Sequence, residues 1–333
     1  MLHSHPFRRT AALAATCVLA VASLATAAAE GRFERTLTVS GPVTLSVMTG
    51  SGRISVQPGP DGQVRVVATL KASDSWGWGQ SSSMTPEAAI KAIEANPPIE
   101  QQGSVIRIGD MKDRPEGRNV TISYELVVPK ATSLTSKSGS GSQVIGDLAG
   151  PVHATTGSGS LDLGRIAGDT KASAGSGSIV VNGTVGKTEV SSGSGSIDLR
   201  AADGPVAART GSGAIVVSSL GRGDVQASSG SGDITARGVN GAFTASSGSG
   251  SIEIDGAPAG AWTVSSASGR ISIGLPASAN FVLDASSASG RIDTDFPVTT
   301  TEVRRRALKG TVGSGGPVVK ASTASGSIRF AKR

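Results

Sequence analysis

A short phrase, Gly-Ser-Gly followed by alternating apolar residues, recurs at a nearly fixed interval and constrains the fold of this 333-residue chain more than any other feature. The stretch "SSGSGSIDLRAADGPVAARTGSGAIVV", residues 191–217, contains it twice. From Gly141 to Gly290 successive copies lie 18, 19 or 21 residues apart. The 36 residues from Gly290 to Gly326 predict two periods with one degraded phrase. An internal period of this length is typical of a solenoid built from stacked coils.

The second glycine of the phrase is glycine in every copy, whereas the first becomes Ala267, Ala288 and Ala324. We therefore predict that the second glycine lies at a corner requiring either positive φ or close backbone approach, and that the first need only be small. The predicted corner glycines are Gly141, Gly159, Gly177, Gly195, Gly213, Gly232, Gly250, Gly269, Gly290 and Gly326, and Gly52 is an earlier copy.

Each repeat alternates apolar and small or polar residues with period two, as a β-strand does. A first strand such as Leu161–Leu163 is followed by a corner and by a second strand such as Val206–Ala208. The corner has an apolar slot, predicted to be Leu148, Ile166, Leu220 or Val239 in different coils. The fold class predicted is all-β: a parallel β-solenoid of about 18-residue coils, stable only because stacked coils share one core.

The serine between the two glycines, for example Ser194, is predicted to stack into a hydroxyl ladder along the corner. Such a ladder could bind ice or a polysaccharide, or its hydroxyls could satisfy backbone groups in tight turns. We favour the second interpretation, because a binding array needs hydroxyls on a flat strand face.

Residues 1–29 carry Arg8 and Arg9, then a mostly alanine apolar run and Ala-x-Ala cleavage patterns, which together predict a secretory signal peptide. A membrane span and acylation of Cys17 in a lipoprotein are the alternatives. With a signal peptide, the protein is expected to be exported and to be periplasmic, cell-surface or secreted.

Removal of the leader leaves no cysteine and one histidine, His153, which argues against thiol chemistry, disulfides and multi-histidine metal sites. Of the 31 Lys and Arg residues, two lie in the leader, so 29 face 25 Asp and Glu residues. That small excess predicts no nucleic-acid partner. No cofactor, catalytic residue or metal ligand is predicted.

Residues 30–130 depart from the regular period and are predicted to form a small α/β capping region before the solenoid of residues 131–333. "LSVMTGSGRISV" resembles one coil separated from the rest, and "TPEAAIKAIEAN" predicts a short helix with Thr85 as its N-cap. We expect the helix and loops to cover the first exposed strand edges.

Two groups of residues are candidates for contact with a partner. Trp76 and Trp78, in "SWGWGQ", could stack on a sugar or fill a partner pocket, or could cap the solenoid end. Arg304, Arg305 and Arg306 could bind an anionic surface polymer or be simply solvated. Trp262 falls in an inward slot and is predicted to be core.

The repeated "TGSGSLDL", "SGSGSIDL" and "SGSGDITA" phrases, the "YELVVPKATSLTSKSGSGS" segment and the "TASGSIRF" ending resemble the bacterial "putative adhesin" family, a domain-of-unknown-function group of repetitive proteins. The resemblance covers about residues 33–330. It implies a β-solenoid in contact with other surfaces, and it supplies no catalytic or binding residues.

The function predicted is that of an exported, non-enzymatic β-solenoid, an adhesin or envelope-contact protein, whose partner is an envelope polymer, a glycan or a protein. The alternatives are a carbohydrate-active enzyme and a periplasmic scaffold or sensor component with a protein partner. Outward acids at Asp162, Asp198, Glu253 and Asp293 are interpreted as surface decoration, with a catalytic carboxylate pair as the alternative. No transmembrane anchor is predicted in the mature chain.

Overall fold

The computed structural model describes residues 29–72, 84–112, 114–117, 119–221 and 223–333. The predicted signal peptide lies outside the described residues apart from Ala29, with which the first strand begins. Trp76 and Trp78 also lie outside the described residues.

The first described region contains seven strands and one helix. They are β1 (Ala29–Thr38), β2 (Thr44–Thr49), β3 (Ile54–Gly59), β4 (Gln63–Ala72), α1 (Pro86–Ala95), β5 (Ile99–Gln102), β6 (Val105–Ile108) and β7 (Val120–Pro129). The helix begins as predicted, because the Thr85 hydroxyl accepts a hydrogen bond from the Ala88 amide and Pro86 occupies the first turn. Its residues Ile90 and Ile93 are buried in the common core.

Eight successive coils follow, each of two strands. They are β8 (Ser133–Ser138), β9 (Gln143–Ile145), β10 (Val152–Thr156), β11 (Leu161–Ile166), β12 (Thr170–Ala174), β13 (Ile179–Thr184), β14 (Thr188–Ser192), β15 (Ile197–Ala202), β16 (Val206–Thr210), β17 (Ile215–Ser219), β18 (Val225–Ser229), β19 (Ile234–Val239), β20 (Phe243–Ser247), β21 (Ile252–Gly256), β22 (Trp262–Ser266) and β23 (Ile271–Leu275). The last six strands are β24 (Phe281–Ser287), β25 (Ile292–Thr294), β26 (Val298–Arg304), β27 (Ala307–Val312), β28 (Val318–Thr323) and β29 (Ile328–Lys332).

The strands form two long sheets, one of 15 strands and one of 14, and each regular coil contributes one strand to each sheet. Neighbouring coils pair in parallel and in register, so that Ile179 pairs with Leu161 on one side and Ile197 on the other. Their side chains are at most 1% exposed. The parallel β-solenoid predicted from the repeat is therefore confirmed, with a continuous apolar core between the sheets.

Close approach of the neighbouring coil's backbone, and not a positive φ, requires glycine at the corner positions. None of the ten has a positive φ. A Cβ on Gly195 would lie within 3.0 Å of the carbonyl oxygen and carbon of Gly177 and of the Ser178 amide nitrogen, a separation that real Cβ atoms essentially never show. The same crowding recurs at the equivalent glycine of each coil. Of the two alternatives raised by the sequence, the backbone approach is correct.

The coil order at both ends differs from the order along the chain. Strands β2 and β3 stack directly on β8 and β9, although more than 70 residues separate them in sequence. Thus "LSVMTGSGRISV" is not a separated coil; it is part of the stack. At the other end, β28 and β29 insert between the β22–β23 coil and the β24–β25 coil.

No degraded coil fills the long interval before Gly326, so that prediction is wrong. The residues form an antiparallel hairpin instead, in which β26 pairs with β27 and β27 with β24. The sheets end on β1 and β5 at one end and on β25 and β26 at the other. The terminal strands at that end, β1 and β5, are antiparallel to their neighbours. The helix packs against β1, β4 and β7, and its Glu94 carboxylate accepts a hydrogen bond from the Arg32 amide of β1 at 2.8 Å.

Candidate functional site

The outward face of the 15-stranded sheet carries a line of hydroxyl groups that runs along the solenoid axis. We call it the outward hydroxyl column. Its members occupy equivalent, paired positions on successive strands: Thr155, Ser173, Ser191, Ser228, Ser246, Ser265, Ser322 and Ser286. Arg209 interrupts the line between Ser191 and Ser228.

Strand pairing fixes the spacing of this column at about 4.8 Å per coil. Neighbouring hydroxyls are close enough to interact: the Ser173 and Ser191 oxygens lie 3.0 Å apart, and Ser246 donates to Ser228 over 3.1 Å. Every member is exposed or half-buried. The column therefore presents a regular row of donors and acceptors on a flat strand face, the geometry that a corner ladder lacks.

The serines between the glycines are exposed at the corner. Ser289 performs the role predicted for them, since its hydroxyl donates to the Ala324 carbonyl at 3.0 Å, but a different residue does so in most coils. Backbone groups at the corner are satisfied by the residue just before the first glycine. Ser192, for example, accepts from the Gly195 amide at 2.9 Å and donates to the Gly177 carbonyl at 3.0 Å.

This arrangement recurs as a buried hydroxyl column formed by Ser138, Thr156, Ser192, Thr210, Ser229, Ser247, Ser266, Ser287 and Thr323. Ala174 replaces the hydroxyl in one coil. A Ser or Thr before nearly every first glycine is the sequence signal for this column, and it is less conspicuous than the serine between the glycines.

A second outward line on the same sheet carries charged and polar groups. His153 lies there between Thr135 and Lys171. Partial burial lowers the pKa of the His153 imidazole, and the nearby cations Lys171 and Lys137 lower it further. The imidazole is therefore held toward its neutral form at a face that already carries lysines.

On the 14-stranded sheet, Asp162, Val180, Asp198 and Val216 occupy one outward line on consecutive strands. Val180 lies between the two acids, so the strands of Asp162 and Asp198 are about 10 Å apart. This line therefore contains no close carboxylate pair of the kind used in retaining glycoside hydrolysis.

Glu253 and Asp255 do share one strand, but a guanidinium bridges them. Arg333 Nη2 lies 3.0 Å from Glu253 Oε1, and its Nη1 bonds Asp255 Oδ2. Burial raises the pKa of Asp255, and Arg333 acts against that rise. Among the described residues, no group of three or more His, Cys, Asp or Glu side chains could hold a metal ion.

The three consecutive arginines lie at the turn between β26 and β27. Arg304 pairs with Glu302 over 2.6 Å, and all three side chains are exposed. The Arg306 carbonyl accepts from the Ser287 amide at 2.9 Å and so ties the turn to β24. The turn thus places three cations together at one end of the solenoid, far along the axis from α1.

Trp262 is fully buried, beside Phe243 at a ring separation of 5.9 Å, and is core as predicted.

No helix in the described part of the chain has the length and apolar character needed to span a membrane.

A family model described as Toastrack DUF4097 matches residues 108–330. No curated protein matches the chain.

Three solved structures are similar at low identity. A "putative cell adhesion protein" from Clostridium sporogenes ATCC 15579 is 10% identical, with 91% of this chain and 100% of that chain covered and a TM-score of 0.22. A "putative adhesin" from Bacteroides fragilis NCTC 9343 is 12% identical, with coverages of 90% and 97% and a TM-score of 0.33. A "putative lipid binding protein" from Parabacteroides distasonis ATCC 8503 is 13% identical, with coverages of 90% and 97% and a TM-score of 0.36.

Proposed function

The chain belongs to the Toastrack DUF4097 family, and we propose that it is an exported, non-enzymatic surface-contact protein that binds a repetitive polymer of the cell envelope. The polymer lies along the outward face of the 15-stranded sheet. The predicted signal peptide, residues 1–29, directs the export, and the proposed mature protein has a capping region at residues 30–130 before the solenoid of residues 131–333.

The outward hydroxyl column is the observation that carries this proposal. Hydroxyls repeated at a constant spacing match a partner whose own polar groups repeat, and a glycan is such a partner. Because the strands are paired on both sides, the hydroxyls are held in place before binding, and little further ordering is needed. Each contact is weak, so the affinity arises from many contacts along the axis.

Arg304, Arg305 and Arg306 supply a second contact for a polymer that carries negative charge. Their position at one end of the sheet lets a chain that follows the hydroxyl column reach them. Trp76 and Trp78 are proposed as a further contact, with a capping role as the alternative.

The test is co-sedimentation of the purified chain, from Glu30 onward, with insoluble envelope polysaccharide. The variant Ser191→Glu with Ser246→Glu places two charges and two larger side chains on the column without entering the core. We expect it to lose most of the binding. The matched control is Ser218→Glu with Ser272→Glu, which changes two outward positions of the 14-stranded sheet, each beside an arginine of a neighbouring strand, and should bind like the unmodified chain.

Three further results distinguish the alternatives. Loss of binding in a Trp76→Ala, Trp78→Ala variant with full binding in the column variant would move the contact to the tryptophans. Absence of binding by the unmodified chain would overturn the proposal and favour a scaffold with a protein partner. Release of sugar fragments during the incubation would favour a carbohydrate-active enzyme.

A further inference from the structure

One corner of the solenoid exposes two large aliphatic side chains. Val185 is 61% exposed and Leu220 is 70% exposed, although the other corner residues Leu148, Ile166 and Val239 are buried. Both exposed side chains line a groove of about 760 Å³, whose floor includes Leu148 and Ile166. Exposed apolar groups gathered in one groove are typical of an interaction surface.

A local irregularity turns Leu220 outward, so the sequence-based assignment of Leu220 to the inward slot is wrong. The pairing of β15 with β17 shifts in register between Leu199 and Ala202, and Ala202 then pairs with Ser219. Ser219 therefore takes the buried slot, and the next residue, Leu220, faces solvent.

The same place contains Ala201, whose φ of 49° makes it the one non-glycine residue with positive φ among the described residues. An alanine in this conformation costs about 1 kcal/mol. Gly183, which has no side chain, and Ala201, which has only a methyl group, also line the groove and leave a depression beside the two exposed aliphatic side chains. The chain thus retains a mildly unfavourable backbone where it exposes apolar groups.

Opposite charges flank Val185 along the axis, and Lys130 and Asp147 line the groove beyond Arg165. Arg165 lies one coil before Val185, and Asp203 lies one coil after it. Leu220 lies two coils after Val185, and Leu148 and Ala149 lie two coils before it. Within the described part of the chain, neither the Arg165 nor the Asp203 side chain forms an ion pair.

We infer that this corner is the interface of a two-fold symmetric dimer with a second copy of this chain. A two-fold axis at the level of Val185 brings opposite charges together and brings apolar side chains together. Arg165 then faces Asp203 of the partner subunit, and Leu220 lies against Leu148 and Ala149 of the partner subunit. The two Val185 side chains meet on the axis.

The groove spans five coils, about 20 Å along the axis. A contact of this length is short, so we expect the dimer to dissociate reversibly on dilution. Because the contact uses a corner, the outward face of the 15-stranded sheet remains free. The dimer does not depend on the proposed function. If that function is correct, each dimer presents two polymer-binding faces.

Sedimentation velocity over a broad concentration series tests the inference. The unmodified chain should pass from monomer to dimer, and Leu220→Glu should remain monomeric. Arg165→Asp and Asp203→Arg should each raise the dimer dissociation constant at least about tenfold, because each replaces two attractions across the interface with two repulsions. Arg237→Asp, an exposed position outside the groove, is the matched control and should leave dimerisation unchanged.

A mixing experiment separates misfolding from loss of the interface. Equimolar Arg165→Asp and Asp203→Arg chains should form a heterodimer, since both ion pairs are then complementary again. Recovery on mixing supports the inference. A monomer at every concentration, a normal dimer from either single variant, or no recovery on mixing of two folded variants would overturn it.

Discussion

Alanine substitution at the two glycines of a single repeat measures how strongly coil stacking restricts each position. A Cβ on Gly195 would meet three backbone atoms of the preceding coil within 3.0 Å, whereas a Cβ on Gly193 would meet only the Gly175 carbonyl oxygen at that range. Backbone atoms paired into two sheets cannot move aside as a flexible side chain can. We therefore expect Gly195→Ala to be far more damaging than Gly193→Ala.

The magnitude follows from the groups that must shift. Overpacking costs about 1 to 3 kcal/mol. Displacement of Gly195 also weakens the bond from its amide to Ser192 and the bond from Thr210 to its carbonyl, at about 1 kcal/mol each. Gly195→Ala should thus lower the free energy of unfolding by about 3 to 5 kcal/mol. Gly193→Ala should cost no more than about 1 kcal/mol, because alanine occupies this position in three other coils and also restricts the unfolded chain.

Urea denaturation followed by circular dichroism gives the global effect. Hydrogen exchange of amides in β13, β15 and β17 gives the local effect, which matters because coils of a solenoid can open separately. Equal losses of stability for the two variants, or a smaller loss for Gly195→Ala, would refute the close-approach explanation of the invariant glycine.

Three further perturbations follow from the buried polar groups. Ser192→Ala should lower the free energy of unfolding by about 1 to 3 kcal/mol, because it removes a hydroxyl from the buried hydroxyl column. Ala174→Ser should raise the free energy of unfolding by about 1 kcal/mol, because it restores the missing hydroxyl. Unchanged urea midpoints for both variants would contradict the role of this column. Tyr124→Phe should stabilise the protein by about 1 kcal/mol, because the Tyr124 hydroxyl is buried and has no hydrogen-bond partner among the described residues. A lowered urea midpoint would show that the hydroxyl is satisfied. The pKa of His153 is lowered from 6.5 in the folded state, so the stability contributed by the neutral imidazole is present above pH 6.5 and is lost as the pH falls through the folded pKa. His153→Asn should reduce this loss of stability at acid pH. Identical pH profiles of the thermal melting temperature for the two proteins would contradict this prediction.

Much of the fold was predictable because the repeat is local. Alternation of Ile179 and Val181 around Val180 assigns the inward face, and the 18-residue interval requires coils that stack. The helix at residues 86–95 was predictable from its Thr85 cap and Pro86. These signals depend on residues a few positions apart, and stacking reinforces them.

The stacking order at the ends was not predictable from the interval. A coil that inserts between two others has the same sequence pattern as one that follows its predecessor, so periodicity does not distinguish β24 from β28 as the neighbour of β22. Leu220 was misassigned for a different reason: β17 has one residue fewer than β15 between Val217 and Ser219, and this places Ser219 inward and Leu220 outward. The outward hydroxyl column was missed because the conspicuous serines lie at the corner.

The surface-contact proposal and the dimer both depend on parallel, in-register stacking of coils, including the two that stack out of chain order. Disulfide crosslinking tests this stacking most directly, because Cys17, the only cysteine, lies in the predicted leader and a chain from Glu30 has none. Ser286 pairs with Ser322, which also pairs with Ser265, so Ser265 and Ser286 are about 10 Å apart. A disulfide requires Cα atoms less than about 7 Å apart. The stacking predicts rapid crosslinking of Ser286→Cys with Ser322→Cys and none of Ser265→Cys with Ser286→Cys. The reverse pattern would show that the coils stack in simple chain order and would contradict it.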